Sequence, residues 1–200
     1  MKKVTLFLAT IFVFGVSTSV LAQGGDTDKA NHLVKITVPT VNLVDIENAE
    51  GENAGLAEWI WTEDLFGSEA GDFNTDPLVI EETFYLQYTS IRNKNKTNKI
   101  TAGLTVNELP EAMSLQVKVD KDANASKKGT TGDGNAKFET IPTSGSIDVV
   151  TKIKTCFTGT EATNGHKLNY QLVIDPTHNS FGDMEADVYD ATITYTIIED

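Results

Sequence analysis

One stretch of the sequence has residue types and spacing that suit a hard cation. Asp120-Lys-Asp122-Ala-Asn124 carries oxygen-bearing side chains at alternate positions, as does the first half of a calcium-binding loop. Ala125 stands where such a loop needs glycine, and Thr131 stands where it needs the closing glutamate. We therefore consider two interpretations of Asp120, Asp122 and Asn124: a calcium site, or a solvated hairpin tip, which the two mismatches favour.

Aromatic side chains offer a second chemistry, the stacking of sugar rings. Trp59 and Trp61 are two residues apart, so in a strand they share a face and would form a flat ligand platform if exposed, with Tyr85 as a further contact. The alternative is burial of both indoles between two sheets. Burial is favoured because large aromatic side chains most often belong to the core.

The sequence lacks the motifs that usually accompany catalysis. His32, His166 and His178 are far apart, whereas a zinc site needs ligands at short spacings, and surface polar roles are expected for His166 and His178. No Gly-x-Ser-x-Gly nucleophile elbow is present. In so acidic a chain, any one carboxylate is more often solvating than catalytic. We expect no enzymatic activity and no cofactor, with calcium as the single alternative.

Cys156 is the only cysteine, so the chain cannot form an internal disulfide. Strand parity places it on the same face as Lys152 and Lys154, whose positive charges would favour the thiolate. Two interpretations follow: a thiol able to pair with a second chain, or an inert thiol packed at a strand end. The second is favoured, since most free cysteines are simply packed.

The first 22 residues have the three parts of a secretory signal peptide. Two lysines precede an apolar run over Val4–Val16, and Val20-Leu21-Ala22 ends the segment with short side chains. The apolar run is shorter than the roughly 20 residues of a membrane span. We expect residues 1–22 to be cleaved, residues 23–31 to form a flexible leader, and the protein to be periplasmic or at the cell surface, without a membrane span.

Charge restricts the partners that the secreted chain can have. Two of the 16 basic residues and none of the 29 acidic ones precede Gln23, which leaves 14 basic against 29 acidic side chains and a net charge of −15. Such a surface repels nucleic acid and anionic lipid. Proteins, including copies of this chain, and glycans remain. The basic stretch Arg92–Lys99 either discourages sheet aggregation or contacts the acidic stretch Glu63–Asp76 of a neighbouring copy.

The elements that carry these residues are predicted to be β-strands. Asp187–Asp200, Met113–Asp120 and Lys167–Ile174 alternate apolar and polar residues with a period of two. Lys121–Asn135 is predicted to be a long flexible hairpin loop. About nine or ten such strands, with turn signals between them and no helical period, predict an all-β fold. We expect a single immunoglobulin-like, Greek-key β-sandwich over residues 32–200.

A further strand is predicted at the start of the secreted chain. Leu33–Val38 places Val34, Ile36 and Val38 on one face, and Pro39 interrupts the strand before it resumes at Val41–Ile46. A proline in that place is typical of an edge strand or of a crossing between sheets.

The two ends of the secreted chain resemble a known family. Lys35-Ile-Thr-Val38 with Val41–Ile46, and Tyr189-Asp-Ala-Thr-Ile-Thr-Tyr-Thr-Ile197, are similar to end strands of chaperone–usher pilus subunits of the colonisation-factor type, and more loosely of spore-coat-U-like domains. The resemblance implies an incomplete immunoglobulin-like sandwich that a neighbour's N-terminal strand completes. We therefore expect a secreted, non-enzymatic structural or adhesive protein, with assembly through Leu33, Val34, Ile36 and Val38. The alternative is an extracellular carbohydrate- or calcium-binding module.

Overall fold

The computed structural model describes residues 33–52, 73–80 and 82–200, and this part of the chain contains twelve strands. The chain divides at Thr37 into two units, and every strand belongs to the second unit, Val38–Asp200. The strands are β1 (Val41–Asn48), β2 (Leu78–Val79), β3 (Phe84–Ile91), β4 (Asn98–Asn107), β5 (Met113–Val119), β6 (Lys128–Gly129), β7 (Asp133–Gly134), β8 (Glu139–Thr140), β9 (Ile147–Ile153), β10 (Cys156–Phe157), β11 (His166–Ile174) and β12 (Ala191–Glu199). None of the described residues forms a helix that is long and apolar enough to cross a membrane.

The strands form two antiparallel sheets that pack on each other. The large sheet has the order β6-β10-β3-β11-β5-β8, with β1 also paired to β3 and β2 to β11. The small sheet has the order β12-β4-β9-β7. Buried side chains from both sheets form one hydrophobic cluster between them. The predicted all-β sandwich is therefore confirmed.

Alternation along the strands produces the core. In β5, Met113, Leu115, Val117 and Val119 are buried while the intervening side chains are partly exposed. β11 repeats this pattern beside it. Each fully buried aliphatic side chain contributes about 1.5–3 kcal/mol.

A pair of tyrosines joins the two sheets inside the core. The hydroxyl groups of Tyr170 in β11 and Tyr195 in β12 are 2.7 Å apart and hydrogen-bonded. Both side chains are buried, and burial raises the pKa of each phenol above its ordinary value. Each buried hydroxyl thus has a hydrogen-bond partner in place of the water that it loses on folding.

The segment before β1 differs from the prediction. Residues 33–40 belong to no strand, and β1 begins only at Val41 and continues to Asn48. Pro39 has no backbone N–H and disfavours many conformations of the residue before it, so pairing starts only beyond it. The predicted strand over Leu33–Val38 is wrong as an element of the described fold, whereas the strand from Val41 is confirmed.

The connection after β5 is more ordered than predicted. Lys121–Asn135 contains the short strands β6 and β7, and the side chains of Asp122 and Thr131 are buried. β6 pairs with β10 and β7 with β9, so this connection contacts both sheets. The prediction of a flexible hairpin loop is wrong here, because these tertiary pairings are not visible in local composition.

Candidate functional site

An exposed apolar segment precedes β1. Leu33, Val34, Ile36 and Val38 are 92%, 64%, 80% and 66% exposed, although these residue types are usually buried. Residues 33–40 pair with no strand of the described chain. Four exposed apolar side chains within six residues are typical of an interaction surface, since apolar residues that are exposed singly need no explanation but clusters do.

The last strand is an open edge of the small sheet. β12 has nine residues and pairs with β4, and no strand of the described residues is hydrogen-bonded to its other side. Tyr195 faces the core, while Thr192, Thr194 and Thr196 are exposed. A long edge of this kind presents backbone N–H and C=O groups to which a further strand can bond. β12 is thus well suited to strand addition.

The edge of the large sheet at β1 is partly closed by its own residues. The backbone N–H of Ile46 donates to the Asp45 carboxylate at 2.8 Å, and the N–H of Asn48 donates to the Glu52 carbonyl at 2.9 Å. Donors with local acceptors are less available to an added strand. β1 and β12 contact each other without pairing, so both edges border the same seam between the sheets. Of the two, β12 is the more open.

His166 is a buried core residue, so the expected surface role is wrong for it. Its Nδ1 is 2.7 Å from the Asp120 carbonyl oxygen, and its Nε2 is 2.9 Å from the Tyr88 hydroxyl and 3.1 Å from the Thr131 carbonyl oxygen. The Tyr88 ring stacks on the imidazole, and its hydroxyl donates to the Thr131 carbonyl. Burial, with added repulsion from nearby acidic groups, raises the pKa of Tyr88. The contacts of His166 and Tyr88 hold the connection after β5 against β3 and β11.

Cys156 is a packed thiol. It is 5% exposed and faces the core, while Phe157 is 45% exposed, so the predicted parity is reversed. The alternation does not continue from β9, because β9 ends at Ile153 and the two residues before β10 belong to neither strand. Burial, and then the negative charge of Asp122, raises the pKa of the thiol to about 11. The thiolate that the sequence parity favoured is therefore disfavoured by the fold.

The three residues of the predicted calcium stretch face different partners. The Asp120 carboxylate is 3.3 Å from the Lys118 ammonium and accepts a hydrogen bond from Asn169 at 3.0 Å. Asp122 is 1% exposed; its Oδ1 accepts from the Asn124 N–H, and its Oδ2 has no hydrogen-bond partner among the described residues. The Asn124 amide donates to a backbone carbonyl at 2.8 Å. Calcium prefers about six or more oxygen ligands. The contacts of these three residues do not test calcium binding, which stays a prediction.

The predicted sugar platform is described only in part. Tyr85 is half-buried in β3, in register with Glu47 of β1 and Lys167 of β11. Trp59 and Trp61 lie outside the described residues, and sugar binding stays a prediction. Within residues 33–52, 73–80 and 82–200, no three His, Cys, Asp or Glu side chains are placed so that they could hold a metal ion.

The chain has no significant match in comparisons with known proteins: no protein-family model, no curated protein and no solved structure matches it.

Proposed function

We propose that the protein is a secreted, non-enzymatic structural or adhesive β-sandwich subunit, pilin-like in that copies join by strand addition. The observation that carries this proposal is the exposure of Leu33, Val34, Ile36 and Val38 in a segment that pairs with no described strand. In the proposed assembly, this segment of one copy adds to the open edge β12 of another.

Strand addition would give the segment both affinity for a partner and specificity. Backbone hydrogen bonds to the edge supply affinity, and alternate side chains entering the partner's surface supply specificity. Val34, Ile36 and Val38 would then lie beside Ile193 and Ile197, which are partly buried against the core. An apolar edge would in this way receive the apolar face of the added strand.

The proposed location is the periplasm or the cell surface. Its basis is the signal-peptide pattern over residues 1–22, together with an acidic surface that disfavours nucleic acid. The partners in this proposal are copies of the chain or other proteins, and glycans are the remaining class for an adhesive role.

Chromatography of two chain lengths tests the proposal. Size-exclusion chromatography with light scattering compares residues 23–200 with residues 39–200. The longer chain is expected to form concentration-dependent oligomers, and the shorter chain is expected to lose them. A folded shorter chain with the same oligomeric state as the longer one would refute the role of the segment.

A calcium-dependent binding module is the second candidate, and one observation favours it. The Oδ2 atom of Asp122 is in a side chain that is 1% exposed and has no hydrogen-bond partner among the described residues. A buried carboxylate oxygen without a partner is costly, and a cation would relieve that cost. The Lys127 ammonium, which donates to the Asp122 carbonyl, already brings positive charge to this connection, so the structural role is preferred.

A further inference from the structure

The connection between β3 and β4 is a basic tip at one end of the sandwich. We call Arg92–Lys99 the basic tip; it carries four basic side chains. Lys96 and Lys99 have carboxylate partners at 3.6 and 3.0 Å. Arg92 and Lys94 have no ion-pair partner among the described residues, and the Arg92 guanidinium donates to the Lys96 carbonyl across the turn. Lys94 is thus an exposed, uncompensated cation on a closed turn.

An acidic depression lies at the other end. It has a volume of about 320 Å³ and lies between the residues that follow β4 and those that precede β12. Five carboxylates line it: Glu108, Glu111, Asp183, Glu185 and Asp187. Within the described part of the chain, none of the five has a cationic partner. The depression is therefore strongly negative.

Hydrogen bonds and packing of the residues around Tyr189 hold the depression in shape. The Tyr189 hydroxyl donates to the Glu185 carbonyl at 2.6 Å and accepts from the Glu185 N–H at 3.2 Å. Tyr189, Phe181 and Met184 pack against a small buried cluster that is separate from the main core. Val188 is 82% exposed at this end. A concave surface held by its own packing needs little rearrangement to receive a partner.

The tip and the depression lie at opposite ends of β4. The strand begins at Asn98 within the basic tip and ends at Asn107, next to Glu108. Its ten residues separate the two ends by about 30 Å at roughly 3.3 Å per residue. One copy therefore cannot satisfy its own depression with its own tip.

We propose that the basic tip of one copy, with Lys94 at its apex, docks into the acidic depression of the next copy. This contact deepens the proposed structural role and rests on it, because it names a second surface through which copies meet. It joins unlike surfaces, so repetition produces a filament, or a ring if the rotation closes. Charge complementarity points to a second copy as the occupant, because every copy carries, in Lys94, an exposed cation that would offset the negative charge of the depression.

Net charge opposes the contact only at long range. The secreted chain, with 14 basic and 29 acidic side chains, has a net charge of −15, and copies repel one another in dilute salt. At physiological ionic strength the Debye length is about 8 Å, which screens distant charges more than charges in contact. We expect the tip contact to be strongest near physiological salt and to weaken towards about 1 M, where the Debye length is about 3 Å.

Charge reversal in residues 23–200 tests the contact. Lys94→Glu reverses the tip, Glu111→Lys places a cation in the depression, and each is expected to raise the Kd of self-association at least about tenfold in sedimentation velocity. Lys137→Glu makes the same charge change at an exposed site beside β5 and is expected to leave the Kd unchanged. A mixture of the two reversed variants is expected to form 1:1 pairs, through the intact tip of one and the intact depression of the other.

Cross-linking and the deletion separate the possible outcomes. Carbodiimide, which joins contacting ammonium and carboxylate groups, is expected to link Lys94 to the depression between copies. Unchanged association in Lys94→Glu, reversed variants that fail to pair, or a chain that is monomeric at every concentration would overturn the contact. If removal of residues 23–38 abolishes association and Lys94→Glu does not, the tip contact is wrong and the structural role stands. The opposite result retains the tip contact and refutes the segment.

Discussion

Replacing one face of the segment before β1 tests strand addition at the level of single side chains. The variant is the triple substitution Val34→Ser, Ile36→Ser and Val38→Ser. In an extended chain these three side chains share a face, and they are 64%, 80% and 66% exposed in the single copy. If a second copy buries this face, the variant is expected to dissociate the assembly.

The expected magnitude follows from the exposed fractions. Full burial of an aliphatic side chain contributes about 1.5–3 kcal/mol, so burial of the exposed parts of all three contributes about 3–6 kcal/mol. Ordering the segment on binding cancels part of this gain, at about 0.5–1.5 kcal/mol for an immobilised side chain. A net loss of about 2–4 kcal/mol corresponds to a rise in Kd of roughly 30- to 700-fold.

The opposite face of the same segment supplies the control. Lys35→Ser with Thr37→Ser changes the same stretch but leaves the apolar face intact, and it is expected to change the Kd by less than about threefold, as peripheral contacts do. Sedimentation equilibrium measures both variants. Equal effects of the two variants would contradict pairing with a period of two, and no effect of the triple substitution would refute burial of this face.

Three further predictions concern the core and the connection after β5. Tyr195→Phe is expected to cost about 1–3 kcal/mol in urea unfolding, because the buried Tyr170 hydroxyl loses its partner at 2.7 Å; a double Tyr-to-Phe variant that costs the sum of the two single losses would contradict this. Burial raises the pKa of Cys156 from 9.0 to about 11, so its contribution to stability is full below pH 9 and falls by up to about 2–3 kcal/mol as pH rises to 11. Cys156→Ala is expected to flatten that part of the pH profile of unfolding free energy, and an unchanged profile would count against it. If the calcium candidate is correct, calcium raises the Tm of the wild-type chain but not of Asp122→Asn, whereas equal Tm values in calcium and in chelator exclude it.

The long strands could be predicted because each one buries a single face. The pattern over Met113–Asp120 matches β5 to within one residue, and the pattern over Asp187–Asp200 contains β12. Burial forces the alternation, so a period of two in the sequence is direct information about the sheet. The same reasoning predicted the apolar face of Leu33–Val38 but not whether a partner strand lies beside it, since alternation says nothing about the other strand.

Features that depend on contacts between distant residues were not predictable. His166 meets Tyr88 and Thr131 across 78 and 35 residues, and no local pattern connects these positions. The inward orientation of Cys156 follows from the break between β9 and β10: Ile153 is buried as the parity predicts, but Lys154 and Thr155 lie outside both strands and the count does not carry across them. The acidic depression likewise needs residues after β4 and before β12 to converge, which only the pairing of those strands achieves.

The two proposed contacts differ in chemistry, and salt can therefore separate them. Strand addition depends on apolar burial and backbone hydrogen bonds, and apolar burial is not weakened by salt. Docking of Lys94 among carboxylates is weakened once the Debye length falls below the separation of the charges. Association that persists at high salt thus reports the segment before β1, and the part that is lost reports the basic tip. The net charge of −15 on the secreted chain opposes any contact that does not bring opposite charges or apolar surfaces together.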